Sequence, residues 1–556
     1  MENACKIIIN DILEGNINSR RELEVKKRQL CRELKLKRFM SNADILDIAS
    51  PSEKENIQHI LRKKPSKFAT GVAVVAVMCH PHECPHGRCF YCPKSDVAPP
   101  SYTGEEPAAL RGRMFEYHPY VQTFNRLKQL NSIGHDVSNV EIIIMGGTFP
   151  STDLSYQEWF VSQILKALVD FGLILENVDK GNSIDFSKEF LEACSLYSDG
   201  LLKTYGPYDY VLLDDVLNVS KDSRVKCVGI TFETRPDWCG VSHVDRMLDM
   251  GATRVEIGVQ TIHDNIYDRM KRGHNVDDSV TANRIIRDSG LKVGMHFMLG
   301  LFQGPSEDID MFRNIFSNDS YMPDMIKIYP CLVTAGSELY DLWKNGDYEP
   351  YSDDEAVDLI VNIKKSLPRW VRTMRIQRDI PSTLIKAGVR KSNLGELVYN
   401  RLNDEDIHCD CIRCRELGHK DNIGDYGVDD FNVYLENYRA VGGEEFFLSL
   451  ETEDRSVLGG YLRLRFPSSD AHRFEIGEKS ALLREVRAYD TLLKTRKNYN
   501  IFDEDSFTSR LIKHAEDIMI DNGKDEIITK CGIGEYNYYN KIGYKTKGTY
   551  LQKKLN

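Results

Sequence analysis

Residues 71–92 read GVAVVAVMCHPHECPHGRCFYC, and this stretch decides the fold. Its first eight residues form a near-continuous apolar run, the pattern of a strand buried on both faces of a parallel sheet. The remainder places Cys79, Cys84, Cys89 and Cys92 within fourteen residues, on the loop that leaves the strand. Five further runs follow: VEIIIM (140–145), CVGITF (227–232), TRVEIGV (253–259), KVGMHF (292–297) and MIKIY (325–329). Helix-like stretches such as 278–289 and 307–316 separate them. Strand–helix alternation over residues 71–400 predicts an α/β partial (β/α)6 TIM-like barrel, whose chemistry sits at the C-terminal strand ends.

The thiols sit at that end. Cys84-x4-Cys89-x2-Cys92 offers three thiolates to a [4Fe–4S] cluster, leaving one iron open to a small molecule. A structural zinc on all four cysteines, or unpaired thiols, fits the spacing as well; the place at the mouth of a barrel favours iron–sulfur. Gly146-Gly147-Thr148 ends the second strand. Glycines there let backbone approach a ligand closely, although a plain turn also explains them.

Outward from the barrel, the chain changes character twice. Residues 1–70 read as polar and helical, with Leu23, Leu30, Leu34 and Leu36 as an irregular apolar stripe. They carry a net charge of +5 in a chain of 556 residues whose total is −11. Nine bases against three acids fall within Arg20–Arg38, and Arg62, Lys63, Lys64 and Lys67 form a second cluster. Basic segments on an acidic protein suit a phosphate backbone; a solvated helix with i,i+4 pairs is the plainer alternative.

Beyond the barrel, HCDCIRCRELGH (408–419) presents Cys409, Cys411 and Cys414 with His419, a set that closes a tetrahedral zinc site in a linker at 401–425. Residues 426–556 change style again. EEFFLSLE (444–451), SVLGGYLRLRF (456–466) and LLREVRAYD (482–490) predict an antiparallel meander, followed by a helix over 505–521 and a strand over 526–530. That is a separate α+β domain. No apolar run approaches the ~18 residues of a membrane span and no signal peptide is visible. Fourteen cysteines in such a chain point to metal or redox chemistry in a reducing, cytoplasmic compartment.

Eight fragments in order, GVAVVAVM…CPHGRCFYCP, SYTGEEP, VEIIIMGGTFP, ETRPDWC, GATRVEIGVQT, KIYPCLV, MRIQRDIP and NYYNKIGY, resemble the radical S-adenosylmethionine (SAM) family of the Elongator catalytic subunit. The resemblance covers about residue 38 to 556. It implies cluster ligands Cys84, Cys89 and Cys92, with Cys79 matching an alternative longer spacing. It also implies SAM near Gly146, Gly147, Thr148, Glu233 and Gln260, and a 5′-deoxyadenosyl radical as the reactive species. The second half resembles a GNAT acetyltransferase, which implies acetyl-CoA contacts at Glu485, Val486, Arg487, Ala488, Phe507, Thr508, Ser509 and Tyr539. The implied reaction carboxymethylates C5 of uridine 34 in the anticodon stem-loop of tRNA. An electron donor and either Elongator-like subunits or self-association are implied partners.

The acetyl-CoA half departs from the pattern. Where the family has a Gly-rich pyrophosphate loop, this chain has Asp505-Ser506-Phe507-Thr508, which adds an acid and removes the glycines. Lys494, Arg496 and Lys497 lie just before it and offer compensating charge. Asn139 stands where relatives often have a Lys, CPKS replaces CPGG, and MLGLFQG replaces MPGLPG. The alternative reading is therefore a tRNA-binding protein that keeps the radical SAM fold and has lost or changed acetyl-CoA use.

Overall fold

The strands predicted from apolar runs form. β1 (Ala73–Met78), β2 (Asn139–Met145), β3 (Lys226–Thr234), β4 (Arg254–Gln260), β5 (Lys292–Leu299) and β6 (Met325–Pro330) pair in sequence order, every pair parallel. A seventh strand, β7 (Arg372–Arg375), adds to β6 in the same direction. Its sequence, RTMR, buries only Thr373, so it carries no apolar run to betray it. The computed structural model describes residues 1–61, 71–180, 212–420, 423–493 and 503–555. Arg62, Lys63, Lys64 and Lys67 lie outside the described residues, as do Lys494, Arg496 and Lys497.

Helices cover the sheet where their caps begin them. Asn275 accepts from the Asp278 amide, and Asp278 accepts in return from the Asn275 amide, a reciprocal cap that starts the helix Val276–Asp288. One apolar core runs through the barrel and continues into the C-terminal region through Leu482, Ile528, Ile533 and Tyr550.

The C-terminal sheet consists of β8 (Asn432–Ala440), β9 (Gly443–Glu451), β10 (Leu458–Phe466), β11 (Ser480–Ala488), β12 (Glu526–Thr529), β13 (Lys545–Lys547) and β14 (Tyr550–Lys554). Its order is β8-β9-β10-β11-β12-β14-β13, with β11 and β12 the one parallel pair. Alternation decides which face meets what: Leu482, Ile528 and Tyr550 join the barrel core, whereas Leu483, Ile527 and Leu551 pack under the helix Phe507–Asp521.

The sheet closes the N-terminal mouth of the barrel. Gly532 and Gly534 lie on β3 so closely that an added Cβ would stand 2.4 Å from Val228 and 2.6 Å from Lys226. Beside them, Asp288 and Asp324 of the barrel meet Arg465 and Arg484 of the sheet, all buried. A register break opposite Leu464 leaves Arg484 as an extra residue on β11. Such a bulge re-aims side chains, and here it lets both Arg484 and Glu485 engage groups on the barrel side.

The N-terminal segment forms four helices, α1 (Glu2–Leu13), α2 (Arg20–Glu33), α3 (Asn42–Ile48) and α4 (Pro51–Leu61), around Ala4, Ile8, Ile12, Leu23, Leu30 and Ile57. Of the expected stripe, Leu23 and Leu30 are buried and Leu36 packs at the edge, but Leu34 caps α2 and is exposed. Among the described residues, no helix is long and apolar enough to cross a membrane.

Candidate active site

The loop after β1 returns over the C-terminal mouth and brings its thiols beneath the ends of β2 to β4. Cys79 continues the strand, its amide bonded to the Met145 carbonyl at 2.9 Å, and its thiol is fully buried against Gly146. A Cβ on Gly146 would stand 2.2 Å from that sulfur, so the glycine is required by the thiol packed on it. Gly147 has φ +76° and lies against Pro100, and Thr148 Oγ1 is 3.9 Å from Cys84 Sγ. The predicted Gly146-Gly147-Thr148 turn therefore touches the Cys loop directly.

Cys84 is half-buried, and Cys89 and Cys92 are buried. Burial pushes the Cys84 thiol up, as it does Cys92. At Cys84 and Cys92 hydrogen-bond donors work the other way. The Ser101 amide donates to Cys92 Sγ at 3.2 Å, Arg272 donates to Cys89 Sγ at 3.5 Å, and His86 Nε2 lies 3.3 Å from the same sulfur. Arg235 and Arg378 add positive field near Cys84 and Cys92. Thiolates in an electropositive, partly buried setting are the form that ligates metal.

Two thiol groups in this chain differ in spread. The Sγ atoms of Cys409, Cys411 and Cys414 all lie within 4.8 Å of one another, whereas Cys84, Cys89 and Cys92 do not close to that spacing. With Zn–S near 2.3 Å, tetrahedral thiolates stand about 3.8 Å apart. The linker trio thus suits one ion. His419 is not brought to the trio; its Nε2 faces Glu416 at 3.4 Å. The buried group at the trio is Lys364, whose Nζ is 3.7 Å from Cys411 Sγ, and Thr373 also donates to that sulfur.

The remaining cofactor candidates occupy the same mouth. Gln260 ends β4 with φ +72°, a left-handed conformation for a side-chain-bearing residue, at a register break in the β4–β5 pairing. Glu233 accepts from Lys327 at 2.7 Å and from Tyr102 at 3.3 Å. Below it, Lys327, Arg254 and His296 surround Glu256. Burial opposes the Glu256 charge, but Lys327 and Arg254 hold it well below the usual carboxylate range. Glu233, Glu256 and His296 lie close enough together for a metal, yet the Lys327 ammonium pairs with both carboxylates and fills that role. Most barrels fill this space with apolar layers, and the lone charges within the strands TRVEIGVQ and MIKIY gave no hint that they meet one another.

At the other end of the barrel, the acetyl-CoA candidates divide. β11 pairs with β12 only over Ser480–Leu483, so Arg484–Ala488 present an edge that β12 does not cover. Glu485, Val486, Arg487 and Ala488 all lie on it. Glu485 and Arg487 are engaged with Arg463 and Glu141. The helix Phe507–Asp521 is capped from within: the Phe507 amide donates to Asp490 at 2.9 Å and the Ser509 amide to Ser506 at 3.1 Å. Thr508 is buried beside them. Tyr539 is buried among Tyr538 and Tyr544, an aromatic core position.

The basic stretch divides as well. Lys26 pairs with Asp11, Lys27 is buried against Asn42 and Glu24, and Arg38 pairs with Asp44. Arg21, Arg28 and Arg32 are exposed and, at spacings of seven and four, line one face of α2; Lys35 and Lys37 follow it.

Residues 1–69 match the ELP3 N-terminal domain, 78–315 the Radical SAM superfamily and 323–404 the Radical_SAM C-terminal domain. A radical SAM domain of this kind implies SAM and a [4Fe–4S] cluster, and the thiol loop at the mouth fits both. The tRNA uridine(34) acetyltransferase of Methanocaldococcus jannaschii is 42% identical over 93% of this chain and 90% of that protein. Elongator complex protein 3 of Homo sapiens is 36% identical over 92% of this chain and 89% of that protein. The solved structure of archaeal Methanocaldococcus infernus Elp3 with an N-terminal deletion (1-46) is 37% identical, with a TM-score of 0.71, and covers 87% of this chain and 100% of that one.

Proposed function

This chain belongs to the Elp3 family, and we propose that it modifies uridine 34 of tRNA at C5 with an acetyl-derived carboxymethyl group, using SAM and acetyl-CoA. The observation that carries the reading is the thiol loop: Cys84 meets the glycine turn at Thr148, with Cys89 and Cys92 on the same loop at the active end of a parallel barrel, in a chain related over nearly its whole length to a tRNA uridine(34) acetyltransferase. Cys84, Cys89 and Cys92 would hold a [4Fe–4S] cluster, which together with SAM would supply the radical chemistry.

The chain's own residues provide positioning. Gly146, Gly147 and Thr148 offer backbone and hydroxyl to SAM, and Gln260 and Glu233 border the same space. The buried charges from Glu233 to Glu256 fill the lumen below, and the C-terminal sheet closes its far mouth, which keeps water from entering by that route. Acetyl-CoA is assigned to the uncovered edge at Glu485–Ala488, where backbone groups stand free of β12. A wobble base leaves its stack at a cost of only a few kcal/mol, so extrusion toward the barrel mouth is affordable.

Cys409, Cys411 and Cys414 are assigned a structural zinc that joins the linker to the barrel. Lys364 supplies a buried positive charge beside the three thiolates. The sequence-based fourth ligand, His419, has its ring turned to Glu416, so it would have to rotate to serve.

Arg21, Arg28, Arg32, Lys35 and Lys37 are assigned to RNA phosphates. Replacing all five with Gln should weaken tRNA binding and lower the slope of log affinity against log salt by about 3.5–4.5, at roughly 0.7–0.9 per phosphate contact. Filter binding across a salt series reads this, and an unchanged slope returns the segment to a solvated helix. Lys26 and Lys27 serve poorly in such a test because both are already engaged within the fold.

A second reading has its own observation. The amides of Phe507 and Ser509, which would cradle a pyrophosphate, already donate to Asp490 and Ser506. That favours a tRNA-binding radical SAM protein with lost or changed acetyl-CoA use. Anaerobically reconstituted protein with SAM, tRNA and acetyl-CoA separates the two. The first reading expects tRNA-stimulated acetyl-CoA consumption and a mass increase on uridine 34; an intact cluster with neither supports the second.

A further inference from the structure

We propose that Arg272 is the fixed counter-charge of the Cys89 thiolate and sets the reduction potential of the cluster held on that loop. The proposal rests on the cluster reading above and on how this guanidinium is built in. Arg272 is buried, and its three partners are the Cys89 thiol at 3.5 Å, the Tyr91 hydroxyl at 3.2 Å and the Gly258 carbonyl at 2.6 Å. None is a carboxylate, and among the described residues Arg272 enters no carboxylate ion pair. A buried cation without a counter-charge is strongly unfavourable. Cys89 Sγ, 3.5 Å from Nη1, is the partner that a bound cluster would hold as a thiolate.

The backbone around it is shaped to hold this position. A Cβ at Gly258 on β4 would stand 2.7 Å from Arg272 Nη2, so only glycine leaves the guanidinium its place. Lys271 before it has φ +53° and Gly273 after it φ +74°. A Cβ at Gly273 would fall 2.6 Å from His86, the residue whose Nε2 also reaches Cys89 Sγ. Two neighbours of Arg272 are thus bent into the left-handed region, and a side chain at Gly258 or Gly273 would displace Arg272 or His86. Cys89 receives two nitrogen partners, whereas Cys92 receives a backbone amide and Cys84 faces a hydroxyl.

A positive charge and hydrogen bonds on a cluster sulfur stabilise the reduced, more negative form over the oxidised one. The role is one of tuning: Arg272 touches a ligand of the cluster and acts through it. A merely structural Arg272, needed only to tie Gly258 to the Cys loop, would leave the potential where it is.

The test is redox titration of the anaerobically reconstituted full chain, followed by the electron paramagnetic resonance signal of the reduced cluster. Arg272→Gln should shift the midpoint to more negative values at equal iron content, while Arg272→Lys, which keeps the charge, should lie between it and the wild type. Loss of iron from the Gln variant but not from the Lys variant also supports the proposal, because the cation is then what retains the cluster. Equal potentials in wild type and a fully loaded Gln variant overturn it, as does iron loss from both variants. Wild-type protein that takes up no iron overturns the cluster reading itself, and this inference with it.

Discussion

Cys89→Ala should remove iron from the reconstituted protein, bleach its brown absorbance and take SAM cleavage below detection, while zinc stays near one per chain. Cys89 is the middle thiol of the loop, it receives both Arg272 and His86, and its carbonyl accepts from the Cys92 amide at 2.9 Å. Cys79 is poorly placed to replace it, because it lies under Gly146 at the base of the loop, where movement of its sulfur meets backbone. Cys409, Cys411 and Cys414 stand in the separate linker beside Lys364 and Thr373, so their ion should be indifferent to the change. Metal analysis of both proteins therefore tests two assignments together. Iron retained at wild-type level with Cys89 absent would remove it from the ligand set. Wild-type protein free of zinc would leave the linker trio as Lys364-paired thiols.

The parts of this site that the sequence displays are those made by neighbours in the chain. The strand runs appear because a sheet covered on both faces needs uninterrupted apolar residues, and the loop thiols appear because their spacing is local. Arg272 is hidden for the opposite reason. It lies 183 residues from Cys89, and KRGH at 271–274 reads as an ordinary charged turn. The same holds at the N-terminus, where composition shows nine bases in Arg20–Arg38 but cannot show that Lys26, Lys27 and Arg38 are engaged inside the helical cluster. YLRLRF in β10 is the clearest case. Tyr461, Arg463 and Arg465 alternate with leucines as a strand with one face in water would, yet all nine residues of β10 are buried. The polar face points into the barrel junction. Alternation reports that the two faces of a strand differ, and is silent about whether the polar one meets solvent or another domain's charges.

That junction yields the second large effect. Asp288, Asp324, Glu445 and Glu485 are buried with Arg287, Arg463, Arg465 and Arg484, four negative charges with four positive. Arg484 is central: it donates to both oxygens of Asp324, at 2.8 and 2.6 Å, and to Glu445 at 3.0 Å. Burial opposes the Asp324 charge, but Arg287, Arg484 and Arg463 hold it far below the usual carboxylate range. Arg484→Ala leaves the cluster one positive charge short with no water to supply it, and should cost about 3–5 kcal/mol. Asp324→Asn alone should also be costly, because it leaves Arg287, Arg463 and Arg484 with only Glu445 and Glu485 as counter-charges. The double variant restores the balance of charge, so its cost should fall below the sum of the single costs by clearly more than the roughly 0.3–0.5 kcal/mol expected of independent sites. Urea unfolding followed by tryptophan fluorescence, to which Trp370 stacked on Tyr438 of β8 contributes, measures these costs. A loss under about 1 kcal/mol for Arg484→Ala would place its guanidinium in contact with water. Strict additivity in the double variant would show that Arg484 and Asp324 act separately, and the two sheets would then be held together by Leu482, Ile528, Ile533 and Tyr550 without help from charge.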